Sequence, residues 1–224
     1  MGEKLRRVKI APRCLLATAL AVVLAGIGAA APVSALSAAE APTAGNFLVA
    51  TRDLQESWFS QTVILLVQHD ELGTMGLVIN QPSEIKLTEM LPEVSHLAES
   101  DRKLYVGGPV ATYGVTILIQ SDRELKEAEH VFGNVYASGN RELLIELLYN
   151  DESAAHVRLY AGHSGWSPGQ LDREIARGSW DVMPADESMI FSAEPPSIWR
   201  KLAPPKRRVI VQLDPSRSQS GVRQ

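Results

Sequence analysis

Residues 62–79 read TVILLVQHDELGTMGLVI, two apolar runs separated by a short polar break, and this stretch decides the fold class. Thr62–Gln68 is a continuous run of β-branched residues and leucine, the pattern of a strand covered on both faces. His69-Asp70-Glu71-Leu72-Gly73 reads as a polar turn and Met75–Ile79 as the returning strand, so the pair forms a hairpin. Working outward, further strands are expected at Phe47–Ala50, Leu104–Val106, Val115–Ile119, Val157–Ala161 and Trp180–Met183, with a weaker alternating one over Val131–Ser138. Leu87, Met90 and Leu91 have helical spacing before Pro92, and Leu143, Leu144, Leu147 and Leu148 line one face of a helix over Arg141–Tyr149. Ser167-Pro168 reads as the cap and first residue of another helix, with Leu171 and Ile175 facing inward and Gly178 closing it. Asp186–Phe191 and Pro196–Leu202 read as short terminal helices. Strands outnumber helices and several are adjacent, which makes antiparallel pairing dominant. The expected class is α+β, not a doubly wound sheet, and no internal repeat is visible.

The flanks differ from this body. Lys4, Arg6, Arg7, Lys9 and Arg13 precede an uncharged, Ala/Leu/Val-rich run from Cys14 to Ala31, and Val33-Ser34-Ala35 supplies the small residues at which an export signal is cut. Residues 1–35 are therefore expected to be a signal peptide, with export to the periplasm or outside. About 18 apolar residues also just suffice to span a bilayer, so a membrane anchor is the alternative. A mis-assigned start before a cytoplasmic protein is the third reading. Residues 36–45, LSAAEAPTAG, read as a linker, 46–203 as the globular domain, and 204–224 as a basic, partly disordered tail around one short strand candidate, Val209–Leu213. Cys14 is the single cysteine, so a mature chain beginning after Ala35 has no disulfide, no thiol nucleophile and no cysteine-based metal site.

Charge follows the same division. Residues 36–199 carry 10 basic and 24 acidic residues, a net −14, whereas residues 200–224 carry a net +6. A body this acidic repels phosphate backbones, which argues against direct nucleic-acid binding. The tail offers at most a weak contact with a membrane.

Chemistry-bearing motifs are few. Gly162-His163-Ser164-Gly165-Trp166 resembles the nucleophile elbow G-x-S-x-G only in part, because Trp166 stands where that turn needs a second glycine. All five histidines, His69, His96, His130, His156 and His163, precede Ser164, whereas such a hydrolase places its base after the serine. A glycine-lined turn that sets Trp166 against the core is the simpler reading. His69 with Asp70 and Glu71, joined by His156 or His163, has donors that suit zinc or manganese, and His69, His163 and nearby carboxylates would make a metal-assisted hydrolase. No H-E-x-x-H or similar spacing fixes two ligands on one face. Gly107-Gly108-Pro109 has neither the lysine nor the spacing of a phosphate loop and reads as a tight turn.

Taken in order, GNFLVAT from Gly45, MGLVINQP (75–82), VGGPV (106–110), GHSGWSPGQLDREI (162–175), WDVMPAD (180–186) and Ile190-Phe191 resemble the YqgE/AlgH family of small bacterial proteins. The resemblance spans about residues 45–203. It implies a branched, mostly antiparallel sheet rolled into a partial barrel with helices packed outside, and it implies no enzymatic activity. One member is named for a proposed role in transcriptional control of alginate production. The family's motif positions fall here on His69, Gly76, Asn80, Pro82, Gly107, Gly108, Pro109, Gly165, Trp166, Gly169, Gln170, Leu171, Glu174 and Trp180. This chain departs from the pattern at His163, where a tyrosine is usual, at Asp172, where glutamate is usual, and at Ala111–Gly114, which is less basic than is common. Its leader is unusual too, since most members are cytoplasmic.

The expectation is thus a non-enzymatic binding or regulatory protein without cofactor or bound metal. Its groove would be formed by His69, Asn80, Gly107, Gly108, Pro109, His163, Ser164, Trp166, Gln170 and Glu174, and its partner would be a protein, a small ligand or a second copy of the chain. N-terminal sequencing of the protein purified from its own cells should begin at Leu36. An intact N-terminus in the membrane fraction would establish the anchor instead.

Overall fold

The computed structural model describes residues 41–54, 57–94, 101–149 and 156–203; the leader, the Val209–Leu213 strand candidate and the basic tail lie outside them. The apolar runs become strands in the expected order. β1 (Asn46–Ala50), β2 (Val63–Asp70), β3 (Gly73–Val78), β4 (Pro82–Lys86), β5 (Lys103–Val106), β6 (Val110–Gln120), β7 (Glu129–Phe132), β8 (Val135–Ser138), β9 (Val157–Trp166) and β10 (Trp180–Pro184) form one curled sheet. Its order is β10-β1-β2-β3-β9-β6-β8-β7, and a branch at β9 carries β5 and then β4. Only the β5–β9 pairing is parallel among the described strands. The result is an α+β half-barrel. Its short helices are α1 (Leu87–Met90), α2 (Arg141–Tyr149), α3 (Gln170–Ala176), α4 (Glu187–Ile190) and α5 (Ile198–Leu202).

Two apolar clusters use opposite faces of the sheet. Leu118 of β6 and Tyr160 of β9 join the larger one, with β1, β2 and β3. Their sequence neighbours Ile117, Ile119 and Leu159 point the other way and pack with Leu143, Leu144 and Leu148 of α2. The alternation follows from the period of two along a strand, and α2 covers the second face with the leucine stripe visible in the sequence.

Several boundaries differ from expectation. Strand pairing continues to Asp70 and resumes at Gly73, so the hairpin turn is only Glu71-Leu72. Val131–Ser138 is two strands around Gly133, whose φ of +47° turns the chain back. The helix after Pro168 starts at Gln170, because Gly169 sits in the left-handed region at φ +68°. Residues 41–45, within the predicted linker, pair with the sheet through Gly45 N–H to the Leu66 carbonyl and Ala185 N–H to the Gly45 carbonyl, both 2.9 Å.

The main difference concerns Gly162-His163-Ser164-Gly165-Trp166, which is strand, not turn. β9 runs straight through it. Its first half pairs with β6 and β5, and its last three residues pair with Gly76, Met75 and Thr74 of β3. Gly162, at φ +67°, lies just before that change of partner, and His163 still pairs with Val110 of β6. Gly107-Gly108 lies directly on this point. A Cβ on Gly108 would fall 2.1 Å from the His163 carbonyl carbon, and one on Gly107 would fall 2.4 Å from the Gly162 oxygen. Both are backbone atoms and cannot rotate away.

Gly108→Ala should therefore destabilise the fold by about 3 kcal/mol or more. Gly178→Ala, at φ +81° with open space around the added carbon, should lose only about 1–2 kcal/mol from its backbone conformation. Urea unfolding of the two variants compares them, and equal losses would refute the close-approach account.

Candidate functional site

The expected groove residues divide into interior and surface groups. Asn80 is buried beyond the end of β3. Its Oδ1 accepts the Val63 N–H at 2.8 Å and its Nδ2 donates to the Gln61 carbonyl at 2.9 Å. Gln61 has φ +59°, so the Asn80 side chain braces a strained turn. Ser164 is fully buried, with its hydroxyl on the Gly107 carbonyl at 3.3 Å. Gly107 N–H donates to the Ala161 carbonyl at 2.8 Å, and the Gly107 carbonyl also accepts the Val78 N–H at 2.9 Å. Pro109 carries the chain from this seam into β6.

Sheet register separates the two histidines of the hydrolase alternative. His69, Thr74 and Trp166 occupy one row across β2, β3 and β9, and His69 Nδ1 lies 2.7 Å from the Thr74 hydroxyl. His163 is three residues before Trp166 and shares a face with Gly165, whose added Cβ would sit 3.8 Å from the imidazole. The histidines thus point to opposite sides of the sheet. Among the described residues, no group of three or more His, Cys, Asp or Glu side chains converges to hold a metal.

The remaining members form a polar knot in an aromatic nest. Trp166 Nε1–H and Trp180 Nε1–H both donate to Glu174 Oε2 at 2.9 Å, and Gln170 Nε2 donates to Oε1 at 3.0 Å. The Trp166 and Trp180 rings meet edge to face at 6.1 Å, and Phe59 lies 6.3 Å and 5.7 Å from them. Burial alone would raise the Glu174 pKa, but the hydrogen bonds from Trp180, Gln170 and Trp166 and the charge of Arg177 outweigh it, so the carboxyl is held below its ordinary value. Helical spacing puts Gln170 and Glu174 on one face of α3, and the indoles come to them from β9 and β10. The arrangement locks a helix onto a sheet.

Apart from this knot is a cleft of about 500 Å³. β2 and β3 contribute Gln68 and Met75, β6 contributes Thr116, β8 contributes Ala137, and Lys126 and Glu129 give it charges of both signs. Met75 pairs with Gly165 of β9 in register. Beside it, β6 bulges between Val110 and Val115, raising Tyr113 fully into solvent. Sequence reasoning missed the cleft because Thr116 and Ala137 are ordinary strand residues, and only the folded sheet brings them opposite Met75.

The profile of the AlgH-like family matches residues 47–206, which includes the seam, the knot and the cleft. The chain belongs to this family. A UPF0301 protein of Methylococcus capsulatus is 36% identical over 164 residues, covering 72% of this chain and 90% of its own. A UPF0301 protein of Mycobacterium tuberculosis is 35% identical over 166 residues, covering 72% and 81%. The solution structure of the AlgH protein from Pseudomonas aeruginosa superposes with a TM-score of 0.59 at 29% identity, covering 82% of this chain and 98% of that one. A crystal structure of a Corynebacterium diphtheriae protein shares the fold, with a TM-score of 0.57 at 23% identity, covering 71% and 92%.

The depressed Glu174 pKa gives this AlgH-like chain a defined acid response. A carboxyl with a lowered folded-state pKa contributes stability above its unfolded value of about 4.3 and loses it as pH falls through the folded value. Glu174→Gln should lose about 1–2 kcal/mol at pH 7, discounted for partial exposure, and should show a flatter decline of stability below pH 4. Urea midpoints measured by tryptophan fluorescence from pH 7 to pH 3 check both, and parallel curves for the two proteins would contradict them.

Proposed function

We infer that this AlgH-like chain is a non-enzymatic binding or regulatory protein and that its recognition surface is the open cleft between β3 and β8. One observation carries this reading: Ser164, His69 and Glu174, side chains that catalysis would draw on, are already engaged within the protein. Ser164 bonds the Gly107 carbonyl, His69 faces Thr74, and Glu174 is held by two indoles and an amide. The cleft, by contrast, is open and is lined by apolar, hydroxyl and charged groups together, the composition of a surface that recognises shape and hydrogen bonding. The exposed Tyr113 beside it adds a rigid aromatic of the kind that anchors interfaces. With the leader removed, this surface would meet its partner outside the cytoplasm.

Immobilised protein should retain a partner or metabolite, identified by mass spectrometry, from the compartment in which the natural protein fractionates. Ala137→Trp, which fills the cleft, and Met75→Glu should each reduce retention at least tenfold, whereas Leu72→Ser at the exposed hairpin turn should not. Retention unchanged in both cleft variants would reject this surface, and turnover of a retained metabolite would reject the non-enzymatic reading.

A further inference from the structure

One wall of the cleft, from Lys126 to Glu129, brings charges of both signs to it within four consecutive residues. This segment leads into β7, and its backbone is fixed to the sheet. The Ser138 hydroxyl donates to the Glu127 carbonyl at 2.6 Å and accepts the Asn140 N–H at 3.1 Å. The Ala128 N–H closes a turn on the Leu125 carbonyl at 3.3 Å. Lys126, Glu127 and Glu129 are all exposed and form no ion pair with one another. Opposite charges are thus held close together and stay separately open to a bound group.

The rest of the lining is apolar or neutral. Val67, at the bulge of β2, and Ala137 of β8 are half-buried against the larger apolar cluster, and Met75 pairs in register with Gln68 next to that bulge. Thr116, Gln68 and Asn140 add a hydroxyl and two amides. Asn140 Oδ1 accepts the Leu143 N–H at 3.0 Å, which holds that side chain in place. A ligand here meets charges of both signs at one wall and an apolar surface elsewhere.

We propose that the cleft binds a small zwitterion, a free amino acid or dipeptide with an apolar side chain. Its carboxylate meets Lys126, its ammonium meets Glu127 and Glu129, and its side chain lies on Val67, Met75 and Ala137. An α-amino acid carries both charges on one carbon, and a dipeptide carries them roughly 7 Å apart. Either separation lies within the reach of a four-residue segment, which is at most about 11 Å long when extended. A ligand of one sign would meet a like charge on this wall, whereas a zwitterion finds complementary charge at both ends. The volume of about 500 Å³ holds either ligand. This inference rests on the cleft being the recognition surface and adds what that surface recognises.

Calorimetric titration of the full chain with leucine and with leucyl-leucine, at constant ionic strength, tests this. Each would also be used with its amine acetylated and, separately, with its carboxyl amidated. Saturable binding of at least one free form is expected, the tighter of the two identifying the ligand's size, with its blocked forms about tenfold weaker. Lys126→Gln should erase the penalty for amidation and keep that for acetylation. The double variant Glu127→Gln, Glu129→Gln should do the reverse. No saturable binding, equal binding of free and blocked forms, or penalties unchanged in these variants would overturn the proposal. If that happens while partner retention still depends on Ala137 and Met75, the cleft stands and only the zwitterion is rejected. Retention independent of both residues rejects the cleft and this inference with it.

Discussion

The contact on which this structure depends contains almost no side chains. Gly107 and Gly108 press against the backbone of β9 from Gly162 to Ser164, closer than any Cβ would permit. The Gly107 peptide joins three parts of the sheet there, donating to Ala161 and accepting from Val78 and from the Ser164 hydroxyl. Hydrogen bonding between strands needs an approach of about 4.8 Å, and at a branch point a third segment must enter the same space. Glycine is the residue that admits it, and the φ of +67° at Gly162 lets one strand leave β6 and join β3 without breaking.

How much of this was legible in the sequence depended on whether a signal was local. The β2–β3 hairpin and the helix over Arg141–Tyr149 could be read directly, because a run of β-branched residues and a leucine stripe each encode burial in their own periodicity. Gly162–Trp166 could not, since a glycine-rich pentapeptide reads as a turn unless the partners on both sides are known. The same reason separates the site residues. A glycine pair signals that something approaches closely, but not whether a ligand or another strand does so. For Gly107 and Gly108 it is a strand. Asn80 looks like a loop side chain free to bind, and in the fold it supplies the hydrogen bonds of the Gln61 turn.

The Glu174 knot follows the same logic. A half-buried carboxylate is unfavourable alone, and two indole N–H groups need acceptors once their rings are covered; each resolves the other. The motif residues of this AlgH-like chain therefore act largely on one another, and the cleft proposed above as the recognition surface is lined mostly by residues outside those motifs. Family resemblance identifies the scaffold more readily than the ligand when the recurring residues build the scaffold.

Because β9 serves both halves of the sheet, neither half owns it. A break anywhere between Val157 and Trp166 would strip β6 and β3 of an edge at once, so the molecule offers no seam at which modules could be exchanged or a fragment could stand alone. Change in such a lineage would be confined to its loops and its two ends, and the central strand would be inherited whole.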